Sequence, residues 1–216
     1  MLKRLKDIII TKKFYWKLRH LISPKVWETY FEDSLTKRRD FYSSYIIDKN
    51  FKNIFEFGCA SGPNLFNIDK NVPWKLFYFG YDISLKAIKF AQKKSQKDSY
   101  FFTNKISPKI IDLKLNTWKI KKFDLAIYDR VLYLLSENEI KKHFERYKDY
   151  ISNLIIDDFH NSETIETNNA YYSKNYEIIL LEFGFKLKRN DPSEHIIGND
   201  DFFIKNARRL IFEKDI

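Results

Sequence analysis

Residues 54–64 read Ile54-Phe55-Glu56-Phe57-Gly58-Cys59-Ala60-Ser61-Gly62-Pro63-Asn64, and this stretch decides the fold. An apolar run meets an acid, passes through a turn of small residues and reaches a proline suited to the first position of a helix. Glycines in such a turn let backbone pass close to a ligand where a Cβ would collide. A nicotinamide-type fingerprint places glycines at positions 58, 60 and 63. Ala60 and Pro63 occupy two of those places, which disfavours a dehydrogenase. Glu56 argues the same way, because a carboxylate just before the turn repels a pyrophosphate. It suits a ligand that carries a positive ammonium and no phosphate.

Outward from this turn the chain alternates strand with helix. Apolar runs at 52–57 and 75–81 read as strands, the second ending in Asp82, and Ser84 caps a helix with Leu85, Ile88 and Ala91 on one face. Further strands are expected at 100–103, 123–128 and 154–156. Between the last two, Ser136 and Glu139 form a capping box ahead of Ile140, Phe144, Tyr147 and Ile151. Tyr172, Tyr176, Ile179, Leu180 and Phe183 make a final helical face that Gly184 ends. Two late strands follow near 185–188 and 209–212. This order predicts an α/β fold, a mostly parallel sheet with helices on both faces.

The stretch Glu56-Phe57-Gly58-Cys59-Ala60-Ser61-Gly62 resembles the first motif of class I S-adenosylmethionine-dependent methyltransferases, with Ala60 in place of the middle glycine. Phe79-Gly80-Tyr81-Asp82-Ile83-Ser84 resembles the next motif, whose acid holds the ribose hydroxyls. A carboxylate accepts from two adjacent hydroxyls, which suits Asp82. Phe101-Phe102-Thr103-Asn104 falls where a polar side chain meets the adenine amino group, and residues 122–135 resemble the fourth-strand motif. Glu182-Phe183-Gly184-Phe185 with the two late strands matches the family's closing hairpin. The resemblance covers about residues 50–213. It implies a Rossmann-like methyltransferase fold with a seven-stranded, mostly parallel sheet and an antiparallel last strand. It implies S-adenosyl-L-methionine as cofactor, held by Glu56, Gly58, Cys59, Ala60, Gly62, Asp82, Ile83, Asn104 and Asp129.

In that fold Asp129 and Arg130, at the exit of the fourth strand, are the candidate catalytic residues. Asp157, Asp158 and His160 are read as leaving the fifth strand on the acceptor side. With Asp129 they resemble, in placement only, the acidic set of metal-dependent catechol-type enzymes, whose other features are missing; no metal is expected. Tyr128-Asp129-Arg130-Val131 replaces the Asn/Asp-Pro-Pro-Tyr/Phe signature of many amino-methylating enzymes. The first reading is therefore a small-molecule or glycan-precursor acceptor, methylated on oxygen or nitrogen. RNA or protein methylation is the runner-up, and a non-catalytic cofactor-binding module the third.

The chain of 216 residues carries a net charge of +10, which raises the question of nucleic acid. Of its 39 basic residues only nine are arginine, whereas phosphate and base readout favour the bidentate guanidinium. A nucleic-acid partner stays open but is not favoured. A single cysteine, Cys59, excludes an internal disulfide and reads as a small buried hydrophobe. No apolar run approaches a membrane span and no signal peptide is legible, so a cytoplasmic setting is expected. Residues 1–50 hold nine aromatics and read as two helices divided at Pro24, the second over about 25–47. They are expected to form a helical cap, domain 1–50, on the methyltransferase domain 51–216. Tyr30, Arg38, Arg39 and Tyr42 are its candidates for facing the acceptor cleft. The basic amphipathic start also fits peripheral contact with an anionic membrane surface.

Overall fold

The computed structural model describes residues 37–163, 165–166, 172–193 and 205–214. The expected first N-terminal helix and Tyr30 lie outside the described residues. Seven strands form one sheet in the order β3-β2-β1-β4-β5-β9-β8. They are β1 (Asn53–Phe57), β2 (Phe77–Tyr81), β3 (Tyr100–Thr103), β4 (Phe123–Asp129), β5 (Ile151–Phe159), β8 (Phe185–Pro192) and β9 (Ala207–Lys214). Strands β6 (Ile165–Glu166) and β7 (Tyr172–Ser173) pair as a separate antiparallel ribbon. The described residues fall into two compact units, those up to Leu125 and those from Ala126 onward.

In the first unit, β1 pairs in parallel with β2, and β2 with β3. Their central residues are buried on both faces, the pattern of a covered parallel sheet. Rings fill the interior: Phe55 packs on Phe123 at 5.5 Å and on Phe79 at 5.8 Å between centroids. Gly80 in β2 has a steric reason, since a Cβ there would sit 2.9 Å from Cys59 Sγ, Phe102 and Tyr78. Helices α1 (Lys37–Lys49), α2 (Pro63–Asn71), α3 (Leu85–Lys94) and α4 (Pro108–Trp118) complete the unit. Pro63 opens α2 and the Ser84 side chain caps α3, as expected. Helix α4 escaped the sequence reading, although Ser107 caps it, Pro108 opens it, and Ile111, Leu115 and Trp118 make its buried face.

In the second unit, β9 runs antiparallel to both β5 and β8, which accounts for the expected antiparallel last strand. Helix α5 (Glu137–Tyr147) carries the expected capping box of Ser136 and Glu139. Its buried His143 meets the Tyr128 hydroxyl at 2.9 Å. Burial, with Arg146 nearby, pushes the imidazole pKa down to about 3, so His143 is a neutral core residue. Helix α6 (Tyr176–Leu181) starts after Asn175, whose side chain caps it. Tyr172, expected on that helix, belongs instead to β7, because the Asn175 cap stops the helix from extending backwards.

Candidate functional site

The turn after β1 is built from left-handed backbone. Gly58 and Gly62 have φ of 83°, and Ala60 has φ of 48°. Alanine tolerates that region at a cost of roughly 1 kcal/mol, so Ala60 retains the backbone shape of the glycine it replaces. The turn spends its amides inward. Gly58 N and Cys59 N donate to Tyr81 O at 2.7 and 2.9 Å, and Gly62 N donates to Cys59 O at 2.8 Å. Ala60 N donates to Asp82 Oδ2 at 3.0 Å. A dinucleotide site directs such amides at phosphate oxygens, whereas here those of residues 58–60 and 62 are already committed.

Asp82 follows β2 and is partly exposed. Ser84 N donates to its second oxygen at 2.8 Å. Burial raises its pKa to about 6, against the lowering effect of the two backbone donors. With one backbone donor on each oxygen, the carboxylate retains lone pairs for a vicinal diol. Ile83 and Asn104, after β2 and β3, are likewise partly exposed. Cys59 is buried, and burial with the nearby Asp82 and Glu56 carboxylates pushes its thiol pKa well up. A protonated, enclosed thiol is not a nucleophile.

Glu56 departs from expectation. It is 1% exposed, accepts from Asn64 Nδ2 at 2.8 Å and takes the Tyr78 hydroxyl on its other oxygen. A buried network through Glu56 thus ties β1 to α2. Arg39 joins it, donating from Nε to Asn64 Oδ1 at 2.8 Å. Arg39, expected to face a cleft, is 7% exposed, and Tyr42 is fully buried. Neither presents its side chain to solvent, and Arg39 bonds to α2 instead, while Arg38 is partly exposed. Asn64, unassigned from sequence, is the joint of this network.

On the acceptor side the candidates separate into different roles. Asp129 ends β4 partly exposed, and Arg130 follows with φ of 52°. A non-glycine residue there is uncommon and points to a constrained turn. The Arg130 guanidinium lies 3.0 Å from Asp157 Oδ1 and 4.9 Å from the Phe159 ring centroid. Asp157 also takes Arg209 at 3.0 Å and Ser193 at 2.6 Å. Asp157 and Asp158 therefore do not leave the fifth strand: β5 continues to Phe159 and both are fully buried. The arginines of β9 and of the β4 exit make this burial tolerable for Asp157. Asp158 accepts from Tyr133 N at 3.0 Å and Phe159 N at 2.8 Å. Burial raises its pKa to about 6, opposed by Arg130 and Lys174 among others.

Lys174 was not anticipated, and a lone lysine gives no periodic signal. It is fully buried, donates to Leu132 O at 3.2 Å, and burial lowers its pKa to about 8. Lys174 and Asp158 together grip the backbone just after Arg130. His160 lies beyond β5, stacked on Tyr176 at 6.2 Å, and burial lowers its pKa. Among the described residues no group of three or more His, Cys, Asp or Glu converges on a metal-sized space.

A family model described as a methyltransferase domain matches residues 48–202. No curated protein matches the sequence significantly. Among solved structures, magnesium protoporphyrin IX methyltransferase from Synechocystis PCC 6803, with bound S-adenosylhomocysteine, superposes with a TM-score of 0.62. Identity is 16%, over 99% of this chain and 100% of that one. The plantazolicin methyltransferase, in complex with a desmethyl-plantazolicin analogue and S-adenosylhomocysteine, gives 0.60 at 17% identity, over 98% and 96%. An S-adenosylmethionine-dependent methyltransferase from Aquifex aeolicus gives 0.58 at 16%, over 92% and 97%. These likenesses agree with the strand order and turn geometry above, and the chain belongs to the class I S-adenosylmethionine-dependent methyltransferases, enzymes that use S-adenosylmethionine as methyl donor.

Proposed function

We propose that this methyltransferase modifies a small molecule or glycan precursor on oxygen or nitrogen. The observation that carries the reading is the β4 exit, where a partly exposed acid, Asp129, stands beside a turn locked through Arg130. Such an exit suits a nucleophile whose proton must leave. It does not grip a planar amine between stacked rings. Two structural neighbours, named for a porphyrin and for plantazolicin, support a small acceptor.

The cofactor residues are part of the same proposal, and their chemistry fits it. Inward-facing turn amides suit a phosphate-free ligand, and the Asp82 carboxylate has acceptor capacity for two ribose hydroxyls. Asn104, Ile83 and the backbone at 58–62 would hold the cofactor, the Asn104 amide oxygen being able to accept from the adenine amino group. When bound, S-adenosylmethionine supplies an electrophilic methyl carbon for in-line displacement. The protein aligns the acceptor oxygen or nitrogen, and Asp129 receives its proton directly or through water. The Arg130–Asp157 pair acts through the turn, by fixing where Asp129 stands.

The test is transfer of radiolabel from S-adenosylmethionine into cell extract, followed by size fractionation. Label is expected in the low-molecular-weight fraction and is expected to drop at least ~10-fold with Asp129→Asn, the scale of lost general-base assistance. Label appearing only in RNA or protein would overturn the small-acceptor reading.

A further inference from the structure

A polar cleft of about 390 Å³ lies beyond the carboxyl end of β5, the edge at which ligands of open α/β sheets bind. Its volume is within the usual range for a small ligand. Its walls come from the residues after β5, the start of α6, the end of β8 and the start of β9. Four asparagines, 161, 175, 190 and 206, contribute amides, and Lys205 and Arg208 contribute cations, with Glu177 as the one carboxylate.

What these groups have left to offer decides the ligand. Asn161 Oδ1 accepts from Ser162 Oγ and Glu163 N, both at 3.2 Å, and one of its N–H groups goes to Asn206 Oδ1 at 2.7 Å. Asn175 Oδ1 caps α6 by accepting from Ile178 N at 3.2 Å, and its amide nitrogen donates to Ser162 O at 2.9 Å. Asn190 Oδ1 accepts from Arg208 Nε at 2.6 Å. An amide N–H remains on Asn161 and Asn175 and two remain on Asn190, while the Asn161 oxygen already takes two donors and those of Asn175 and Asn190 one each. Lys205 is exposed, and Arg208 retains N–H groups beyond the two directed at Asn190. The lining is therefore rich in donors and carries two cations against one carboxylate. An oxyanion needs donors alone.

We propose that this cleft is an oxyanion subsite, which holds a carboxylate or phosphate of the methyl acceptor. The inference rests on the small-acceptor reading above and narrows it to an anionic molecule. The mutual hydrogen bonds of the amides hold the donors in place before the ligand arrives, so little side-chain freedom is lost on binding.

Calorimetry on the protein saturated with S-adenosylhomocysteine tests it, with glucose, glucuronate and glucose 6-phosphate as probes. The two anions are expected to bind at least ~10-fold more tightly than glucose, and their ratio tells whether carboxylate or phosphate is preferred. Lys205→Glu, at an exposed position, and Asn190→Asp, which exchanges donors for charge, should each weaken the anions ~10-fold and leave S-adenosylhomocysteine affinity unchanged. Equal affinity for all three probes, no binding of any while S-adenosylhomocysteine binds, or unchanged anion affinity in both variants would overturn the subsite. Loss of S-adenosylhomocysteine binding by the unmodified protein would instead strike at the cofactor assignment and take the subsite with it.

Discussion

Asp82 holds two backbone N–H groups and has an ionisation raised to about 6 by burial. The sign of its effect differs for folding and for binding. A raised carboxylate pKa means that the ionised group costs the fold above about pH 6; that cost is relieved as the pH falls toward the ordinary value. Ribose recognition wants the anion, so affinity moves the other way. S-adenosylhomocysteine binding is expected to weaken between pH 7 and 5, while the ligand-free protein loses no stability through this group. Asp82→Asn should bind weakly at both pH values and lose the dependence, as calorimetry across that range would show. Asp82, Ala60 and Pro63 were legible in the sequence because each acts through local backbone geometry. Asn64, Arg39 and Lys174 were not, because each owes its role to a partner brought near only by folding. The two acids expected at the exit of β5 were misplaced for the same reason. A polar pair after an apolar run reads as a strand end unless the arginines that neutralise one of them are known.

At the scale of elements, α1 is the described part of the expected cap. It packs on α2 through polar bonds: Arg39 to Asn64, Ser43 to Asn67 at 2.7 Å, and Asn67 to Asp40 at 2.9 Å. These bonds bind α1 to the helix that starts at Gly62, and through Asn64 to Glu56. In place of the expected acceptor-facing role, Arg39 joins this α1–α2 network and Tyr42 is buried. Arg39→Met is expected to leave the buried Asn64 oxygen short of a donor and destabilise the protein by ~1–3 kcal/mol. It should also loosen S-adenosylhomocysteine several-fold; a thermal melt and a titration read both effects. Most elements were visible as runs of apolar residues between caps. Helix α4 was overlooked although its Ser107-Pro108 start is a readable signal, with apolar residues following at helical spacing. The β6–β7 ribbon is too short to produce periodicity at all.

At the scale of the whole molecule, a seven-stranded sheet with an antiparallel last strand was implied once the ordered motifs were recognised, and its order is β3-β2-β1-β4-β5-β9-β8. Topology depends on the succession of strands and helices more than on any one side chain. The acceptor was not implied. Its proposed subsite draws on segments around residues 161, 175, 190 and 208, which gather only through the β5–β9–β8 pairing. The net charge of +10 likewise left the acceptor class open, since lysine-rich surface serves solubility as readily as recognition. The cofactor is the central claim, and it rests on the Gly58–Gly62 turn and Asp82. Titration calorimetry of the purified protein with S-adenosylhomocysteine tests it most directly. The account predicts one-site binding at ~100 μM or tighter, weakened by at least ~1.5 kcal/mol in Asp82→Ala. No heat and no thermal shift at millimolar ligand, or an Asp82→Ala variant that binds as the unmodified protein does, would contradict it.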